Sequence, residues 1–160
     1  MPIAIKNSII DISSEETTRE LARDFSNYLI GGEVIFLYGE MGVGKTTFVK
    51  YLINQFQINK KFQITEVTSP TFTLLQIYDY ESGLIYHYDF YRLDKIEELF
   101  ELNFSESLRN NICIIEWSNK FKKALPENRV EIDFEIISNN SRKLKFNFLG
   151  KFKKDIFKWL

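Results

Sequence analysis

The sequence predicts an α/β fold of three layers, in which helices cover a mixed sheet with a parallel core and antiparallel hairpins at its margins. Three observations lead to this prediction. Residues 34–38 are an apolar run followed by a glycine-rich loop and a helical pattern, residues 72–91 have a hairpin pattern, and residues 130–136 alternate between apolar and acidic. The first pattern is typical of a parallel strand and its crossover helix, and the other two are typical of antiparallel strands.

Length and composition are those of one globular domain, which we expect to span residues 1–160. The chain has 160 residues, of which 44% are hydrophobic and 16% aromatic, enough for a core without disulfides or a structural metal. Its net charge is −1, so it has no broad basic surface. We therefore do not expect it to bind nucleic acid by itself.

Cysteine use and hydropathy favour a cytoplasmic protein. The single cysteine, Cys113, lies in an apolar run and has no partner for a disulfide within the chain, which suits a reducing compartment. No stretch approaches the ~18 apolar residues of a membrane-spanning helix, and residues 1–6 lack the pattern of an export signal. We expect a cytoplasmic location and no membrane contact.

The first predicted helix begins at a capping box formed by Ser13 and Glu16. It ends at the two glycines Gly31 and Gly32. Its apolar face consists of Leu21, Ala22, Phe25 and Leu29.

A strand, a loop and a helix follow. Residues 34–38 are β-branched and aromatic, too few for a helix and suited to a buried parallel strand. Residues 39–46 form the loop, with the sequence Gly-Glu-Met-Gly-Val-Gly-Lys-Thr. After it, apolar residues recur at the spacing of an amphipathic helix. They are Phe48, Val49, Leu52, Ile53 and Phe56.

The middle of the chain predicts a β-hairpin and a short helix. Two apolar and aromatic runs, residues 72–80 and 84–91, are separated by the turn-forming residues 81–83. Asp94 and Glu97 then form a second capping box, which predicts a short helix that includes Leu99 and Leu102.

The last third predicts three strands and a terminal helix. Residues 112–115 are apolar and precede Glu116, as in a buried parallel strand. The alternating strand at residues 130–136 turns at residues 139–141 into an antiparallel partner. That partner contains Leu144, Phe146 and Phe148. Residues 151–160 have the pattern of a short amphipathic helix with Phe152, Ile156 and Phe157.

The loop at residues 39–46 matches G-x-x-x-x-G-K-[ST], a phosphate-binding pattern. Its glycines let successive N–H groups point at phosphate oxygens, Lys45 reaches the β- and γ-phosphates, and Thr46 places its hydroxyl on Mg²⁺. The strand before it and the helix after it are the context that the motif requires. The expected architecture is therefore the P-loop NTPase fold. We expect the cofactor to be bound by Gly39, Glu40, Met41, Gly42, Val43, Gly44, Lys45, Thr46 and Thr47.

A phosphate-binding loop needs a second acidic group at a strand end to hold Mg²⁺. Glu116 follows four consecutive apolar residues, the pattern of a central parallel strand, so we assign it to the metal together with Thr46. Asp89 lies in an alternating run and is then available to orient or deprotonate the attacking water. Sequence alone leaves a second interpretation of Asp89 open, as a cross-strand partner of Arg92 or a nearby lysine.

Two other polar features lie close to these acids in the sequence. The single histidine, His87, shares a strand face with Asp89, and we expect it to be a structural residue rather than a catalytic one. The segment Ser69-Pro70-Thr71 lies between the predicted helix and the hairpin. A threonine in such a loop can sense the γ-phosphate through Mg²⁺, although Pro70 could also mark nothing more than a turn.

The nucleotide is expected to be ATP rather than GTP. A guanine reader carries Asn-Lys-x-Asp, and here Asn119 and Lys120 are followed by Lys122 where the aspartate is needed. A lysine cannot accept hydrogen bonds from guanine. Arg92 also replaces the glycine of the GTPase switch. Arginine is scarce between the predicted helix after the loop and Glu116, which disfavours a metabolite kinase with an arginine-rich lid.

Four fragments in this order and spacing closely resemble the bacterial TsaE (YjeE) family, over roughly residues 13–145. They are Gly39–Thr47, Ser69–Leu74, His87–Leu93 and Ile115–Trp117. The resemblance implies a small Mg²⁺-dependent ATPase, weak alone, that acts with the TsaB and TsaD proteins in forming threonylcarbamoyladenosine (t6A) in tRNA. It also implies that ATP hydrolysis keeps the transfer complex cycling, that the transfer site belongs to TsaD, and that tRNA is met only through the complex.

The resemblance assigns roles to individual positions. Lys45 and Asp89 resemble the catalytic residues, Glu116 completes the metal site, and Glu15 and Arg142 resemble contacts to the nucleotide base. The chain departs from the family in having Ser118 where proline is common. It also has Asn103 where a helix-ending glycine is usual, although asparagine tolerates the left-handed conformation. Two other functions remain open: a scaffold in which nucleotide binding matters and hydrolysis does not, and a metabolite kinase that acts alone.

Overall fold

The structure is a computed structural model that describes residues 4–5 and 9–152. Its strands are β1 Ala4–Ile5, β2 Ile9–Asp11, β3 Val34–Tyr38, β4 Leu75–Tyr80, β5 Gly83–Asp89, β6 Ile112–Glu116, β7 Arg129–Ser138 and β8 Ser141–Leu149. Its α-helices are α1 Glu15–Ser26, α2 Lys45–Asn59, α3 Glu98–Glu101 and α4 Phe104–Ser107, and a 3₁₀ segment spans Ser118–Ala124. Among the helices of this part of the chain, none has the length and hydropathy to cross a membrane.

The strands form one mixed sheet in the order β1-β2-β8-β7-β3-β6-β5-β4. The four central strands, β7, β3, β6 and β5, are parallel to one another, and all pairings outside this group are antiparallel. The predicted mixed sheet with a parallel core is therefore confirmed. In register, Glu116 lies opposite both Leu37 and Asp89, so β3, β6 and β5 end at the same edge of the sheet.

Apolar side chains cover both faces of the sheet. Ile35 and Leu37 belong to one buried cluster with the apolar faces of α1 and α2, whereas Val34 and Phe36 point to a second cluster on the other face. Leu99 and Phe104, from α3 and α4, belong to that second cluster. Helices on both faces of the sheet confirm the three-layer prediction.

The predicted start and end of the first helix are wrong. The N-cap of α1 is Ser14, whose hydroxyl accepts a hydrogen bond from Thr17 N–H at 3.1 Å. Ser13 is not available as a cap because its Oγ accepts the N–H of Arg142 in β8 at 3.0 Å. The helix ends at Ser26. Hydrogen bonds between residues three apart then continue the turn as far as Leu29, which is buried in the core.

The second predicted capping box is also wrong. The side chain of Glu97, the N-cap of α3, makes no capping bond, and Leu102 lies just beyond the helix. Instead, the carboxylate of Glu98 accepts the N–H groups of Lys95 and Asp94 at 2.7 and 2.8 Å. These two bonds hold the pKa of Glu98 below its usual value. The predicted left-handed turn at Asn103 is confirmed by its φ of 54°.

Apart from the terminal helix, the other predicted elements are confirmed with shifted bounds. The hairpin begins at Leu75, later than predicted, because residues 70–74 form a turn closed by a 2.7 Å bond from Leu74 N–H to the Pro70 carbonyl. The alternating strand and its partner, β7 and β8, turn at residues 139–140. Of the helix predicted over residues 151–160, residues 153–160 lie outside the described part of the chain.

Cys113 provides a test of core burial. Its thiol is fully buried in β6, its Sγ lies 3.2 Å from the Ser107 carbonyl, and burial raises its pKa to about 11. An unfolded thiol releases its proton near pH ~8.5, so the native state holds this proton more tightly than the unfolded state does. The resulting stability is complete below about pH 8.5 and is lost as the pH rises through the pKa of the folded state.

We therefore expect the free energy of unfolding to fall between about pH 8.5 and pH 11 more steeply in the wild type than in Cys113→Ala. The difference in slope is at most about 1.4 kcal/mol per pH unit, the value for one proton. Urea unfolding at a series of pH values measures it. Equal slopes in the two proteins would show that the thiol titrates as it does in the unfolded chain.

Candidate nucleotide-binding site

The phosphate-binding loop connects the end of β3 to the start of α2. Gly39 has a φ of 140°, and a Cβ there would lie 2.9 Å from the Phe134 carbonyl oxygen, so neither the conformation nor the space suits another residue. Gly44 is the N-cap of α2 with a φ of 111° and gives the helix no side-chain cap. The first N–H groups of α2 therefore remain suited to an anion. Val43 anchors the loop in the core.

Lys45 lies at the base of the loop and is 7% exposed. Its Nζ donates hydrogen bonds to the carbonyl oxygens of Gly39 and Glu40 and lies 5.7 Å from the centroid of the Trp117 ring. The ammonium group is thus held beside the loop backbone, where a phosphate chain would run.

A cavity of about 440 Å³ opens between this loop and the ends of β5 and β6. From the loop and α2 it is lined by Met41, Gly42, Gly44, Lys45, Thr46 and Thr47. From the rest of the chain it is lined by Ser69, Thr71, Phe72, Asp89, Tyr91, Glu116 and Trp117. The structure therefore brings together both predicted acids, the predicted lysine and the predicted threonine, and it also brings the Ser69–Thr71 segment to the site.

The two acids are almost completely buried and have different partners. Asp89, 2% exposed, accepts the Tyr91 N–H at 2.9 Å through Oδ1 and the Thr71 hydroxyl at 3.1 Å through Oδ2. Glu116, 5% exposed, has its Oε1 2.9 Å from Nε2 of His87. Asp89 is therefore tied to the loop before the hairpin, and Glu116 is tied to the interior of the sheet.

These donors fit a magnesium ion. Mg²⁺ prefers oxygen ligands and is usually held by one or two carboxylates together with substrate phosphates and water. Thr46 and Glu116, which carry a hydroxyl and a carboxylate, both line the cavity next to the loop. The carboxylate is hardly exposed to solvent, and a cation would offset the cost of burying its charge.

The remaining predicted residues lie outside this cavity. Gly39 and Glu40 line a smaller adjoining cavity of about 300 Å³, which also includes Asn119. Glu15 begins α1 and accepts the Tyr51 hydroxyl of α2. Arg142, in β8, is joined to the start of α1 through its backbone, whose carbonyl accepts the Ile12 N–H at 3.0 Å. The contact of Glu15 and Arg142 with a base stays a prediction.

Three aromatic residues at the cavity had no predicted role in the chemistry of the site. Trp117 has a left-handed backbone with a φ of 58°, and its ring lies 4.8 Å from that of Tyr91. Phe72 is 84% exposed, and its ring lies 5.8 Å from the Arg92 guanidinium. A signal did exist for two of them, because Trp117 directly follows Glu116 and Tyr91 lies two residues after Asp89.

The strand, glycine loop and helix, with two acids at the neighbouring strand ends, define a protein of the P-loop NTPase type. The family described as "Threonylcarbamoyl adenosine biosynthesis protein TsaE" matches residues 12–144 of the sequence. The chain belongs to this TsaE family.

Individual relatives and a solved structure agree with this assignment. A protein of Rickettsia typhi is 40% identical over 144 residues, with 88% of this chain and 97% of the relative covered. A protein of Aquifex aeolicus is 34% identical, with 84% and 91% covered. Both are named tRNA threonylcarbamoyladenosine biosynthesis protein TsaE. The crystal structure of Bacillus subtilis YdiB superimposes with a TM-score of 0.65 at 25% identity and covers 89% of this chain and 85% of YdiB.

Proposed function

We propose that this chain is an ATP-binding and ATP-hydrolysing subunit required for t6A modification of tRNA, acting in the cytoplasm with TsaB and TsaD. Membership of the TsaE family supports the pathway. The observation that carries the activity is the meeting of Lys45, Thr46, Asp89 and Glu116 in one cavity. A lysine, a hydroxyl and two acids of this kind are the groups that phosphoryl transfer to water uses.

The phosphates of ATP bind along residues 39–47, with the ammonium group of Lys45 at the β- and γ-phosphates. Thr46 and Glu116 hold the Mg²⁺, which supplies charge neutralisation on the phosphate oxygens when bound. Lys45 then exchanges its bonds to the loop carbonyls for the phosphate oxygens. Gly39 and Val43 fix the backbone of the loop, so its N–H groups keep their positions during this exchange.

Asp89 orients the attacking water or accepts its proton. Because the Tyr91 N–H and the Thr71 hydroxyl hold its two oxygens, the carboxylate has a fixed direction at the end of β5. Positioning of this kind contributes to the rate because the reacting groups do not need to reorganise. The Thr71 bond also links Asp89 to a loop that can respond to the γ-phosphate.

The structure also supports ATP over GTP, because the residues that resemble a guanine-binding signature serve other contacts. Lys120 Nζ donates to the carbonyl oxygens of Tyr91 and Leu93. Lys122 Nζ lies 3.6 Å from the Glu131 carboxylate. The segment therefore braces the loop after β5, and its lysine at position 122 offers no acceptor to guanine.

Phosphate release from ATP and from GTP, each with and without TsaB and TsaD, tests this proposal. We expect slow release from ATP by the isolated chain, faster release when both partners are present, and little release from GTP. No release from ATP in the presence of the partners would contradict the hydrolytic role. Equal release from the two nucleotides would contradict the assignment to ATP.

A further inference from the structure

The buried histidine of β5 contacts an acid of the candidate site. His87 is fully buried, and its Nε2 lies 2.9 Å from Oε1 of Glu116. In the parallel pairing of β5 with β6, Glu116 lies opposite Asp89 and His87 lies opposite Ile114. The side chain of Glu116 therefore leans along the sheet, away from the strand end, to reach the imidazole ring.

The surroundings of the ring define its tautomer. Among the residues that the structure describes, no group makes a hydrogen bond to the buried Nδ1. A proton on Nδ1 would therefore be a buried donor without an acceptor, which is costly. With the proton on Nε2, the ring donates a hydrogen bond to Glu116. Only the lone pair of Nδ1 is then left without a hydrogen-bond donor. The favoured tautomer carries its proton on Nε2 and directs this donor at one carboxylate oxygen of Glu116.

A histidine that served only to fill the core would not need this arrangement. Its neighbours on the same face, such as Ile85 and Ile114, are aliphatic and belong to the core cluster of α1 and α2. An aliphatic side chain at position 87 would fill this space without leaving a buried nitrogen unpaired. What the imidazole adds is the hydrogen bond to Glu116.

We propose that His87 is a positioning residue for the magnesium site. By donating Nε2–H to Oε1 of Glu116, it fixes the orientation of this carboxylate and leaves Oε2 as the oxygen for the metal. This inference rests on the proposed function, in which Glu116 holds Mg²⁺. Partners that orient a ligating carboxylate usually change metal affinity by about 10- to 100-fold when they are removed.

The test compares His87→Leu, which keeps an apolar volume and removes the donor, with His87→Gln, which retains an N–H donor. The affinity for a fluorescent ADP analogue is measured in Mg²⁺ and in EDTA, and the ratio of the two gives the gain in affinity due to magnesium. Direct binding of Mn²⁺ to the nucleotide complex, followed by electron paramagnetic resonance, gives a second readout. Tyr86→Phe, in the same strand but facing the opposite side of the sheet, is the matched control.

In His87→Leu we expect the magnesium-dependent gain and the Mn²⁺ affinity to fall at least about 10-fold, with binding in EDTA unchanged. His87→Gln should recover most of the loss, and Tyr86→Phe should match the wild type. An unchanged gain in His87→Leu would overturn the inference. So would an equal loss of binding in Mg²⁺ and in EDTA, because that is the result of a purely structural role.

If His87→Leu does not fold, as judged by circular dichroism, His87→Asn replaces it in the comparison with His87→Gln. Its shorter amide falls short of Glu116, so we expect only the glutamine variant to keep the gain, and equal gains would overturn the inference. A wild type that binds nucleotide without any gain from Mg²⁺ would reject the metal assignment and this inference together. A wild-type gain that survives in His87→Leu would reject the inference alone.

Discussion

Replacing Lys45 with alanine is expected to lower the rate of ATP hydrolysis by about 100- to 1,000-fold, the range found when one hydrogen-bond donor is removed from a site that stabilises developing negative charge. The residue is 7% exposed and lies between the loop backbone and the Trp117 ring. A water molecule in its place would therefore not supply the positive charge of the ammonium group. The measurement is phosphate release in the presence of TsaB and TsaD.

Lys50→Ala is the matched control, because Lys50 lies on the exposed side of the same helix. We expect this variant to retain the wild-type rate. Circular dichroism and urea unfolding establish that Lys45→Ala is folded, since the substitution also removes the bonds to the Gly39 and Glu40 carbonyls. A folded Lys45→Ala protein with wild-type turnover would show that the loop at residues 39–46 is not the phosphate site.

Glu116→Gln and Asp89→Asn are expected to impair the site in different ways. Glu116→Gln removes the charge that we assign to the metal, so we expect the gain in nucleotide affinity due to Mg²⁺ to fall at least about 10-fold, together with hydrolysis. Asp89→Asn should leave that gain nearly intact and reduce hydrolysis by about 100-fold or more, within the usual contribution of a general base. Nucleotide titrations in Mg²⁺ and in EDTA, combined with phosphate release, separate the two roles.

Asp79→Asn, an exposed position in β4, is the control for removing a negative charge. We expect it to alter neither quantity. The reverse pattern, in which Asp89→Asn loses the magnesium gain and Glu116→Gln keeps it, would exchange the two assigned roles. If both variants lose the gain in nucleotide affinity due to Mg²⁺, both acids bind the metal. Neither of them would then be the base for the attacking water.

Sequence periodicity predicted the sheet because each strand has a local pattern that reflects its burial. The continuous apolar runs at residues 34–38 and 112–115 lie in β3 and β6, which have buried side chains on both faces, as parallel central strands do. Helix caps were predicted less well because distant groups compete for the same side chains. The hydroxyl of Ser13 accepts from Arg142, 129 residues along the chain, and no local pattern contains that contact.

In the candidate site, too, local sequence patterns predicted some features, whereas contacts between distant residues could not be predicted. The hydropathy pattern alone predicted that Glu116 lies at a strand end, but it placed Asp89 within the run of residues 84–91. The structure ends β5 at Asp89, and the parallel register sets the two acids opposite each other. Their hydrogen-bond partners depended on tertiary structure. The bond from Thr71 to Asp89 joins residues 18 apart in the sequence, and the bond between His87 and Glu116 joins residues 29 apart on two different strands. From sequence alone, His87 was an ordinary structural histidine, because strand order is needed to identify its partner.

The proposed function requires ATP hydrolysis in this cavity for t6A formation. The most direct test depletes the protein in its native cell, supplies either the wild type or Asp89→Asn, and quantifies threonylcarbamoyladenosine in purified tRNA by mass spectrometry. We expect the modified nucleoside to fall on depletion, to recover with the wild type, and to stay low with an equally abundant Asp89→Asn protein. Recovery with a variant shown not to hydrolyse ATP would contradict a requirement for hydrolysis and would favour a scaffold that needs only bound nucleotide.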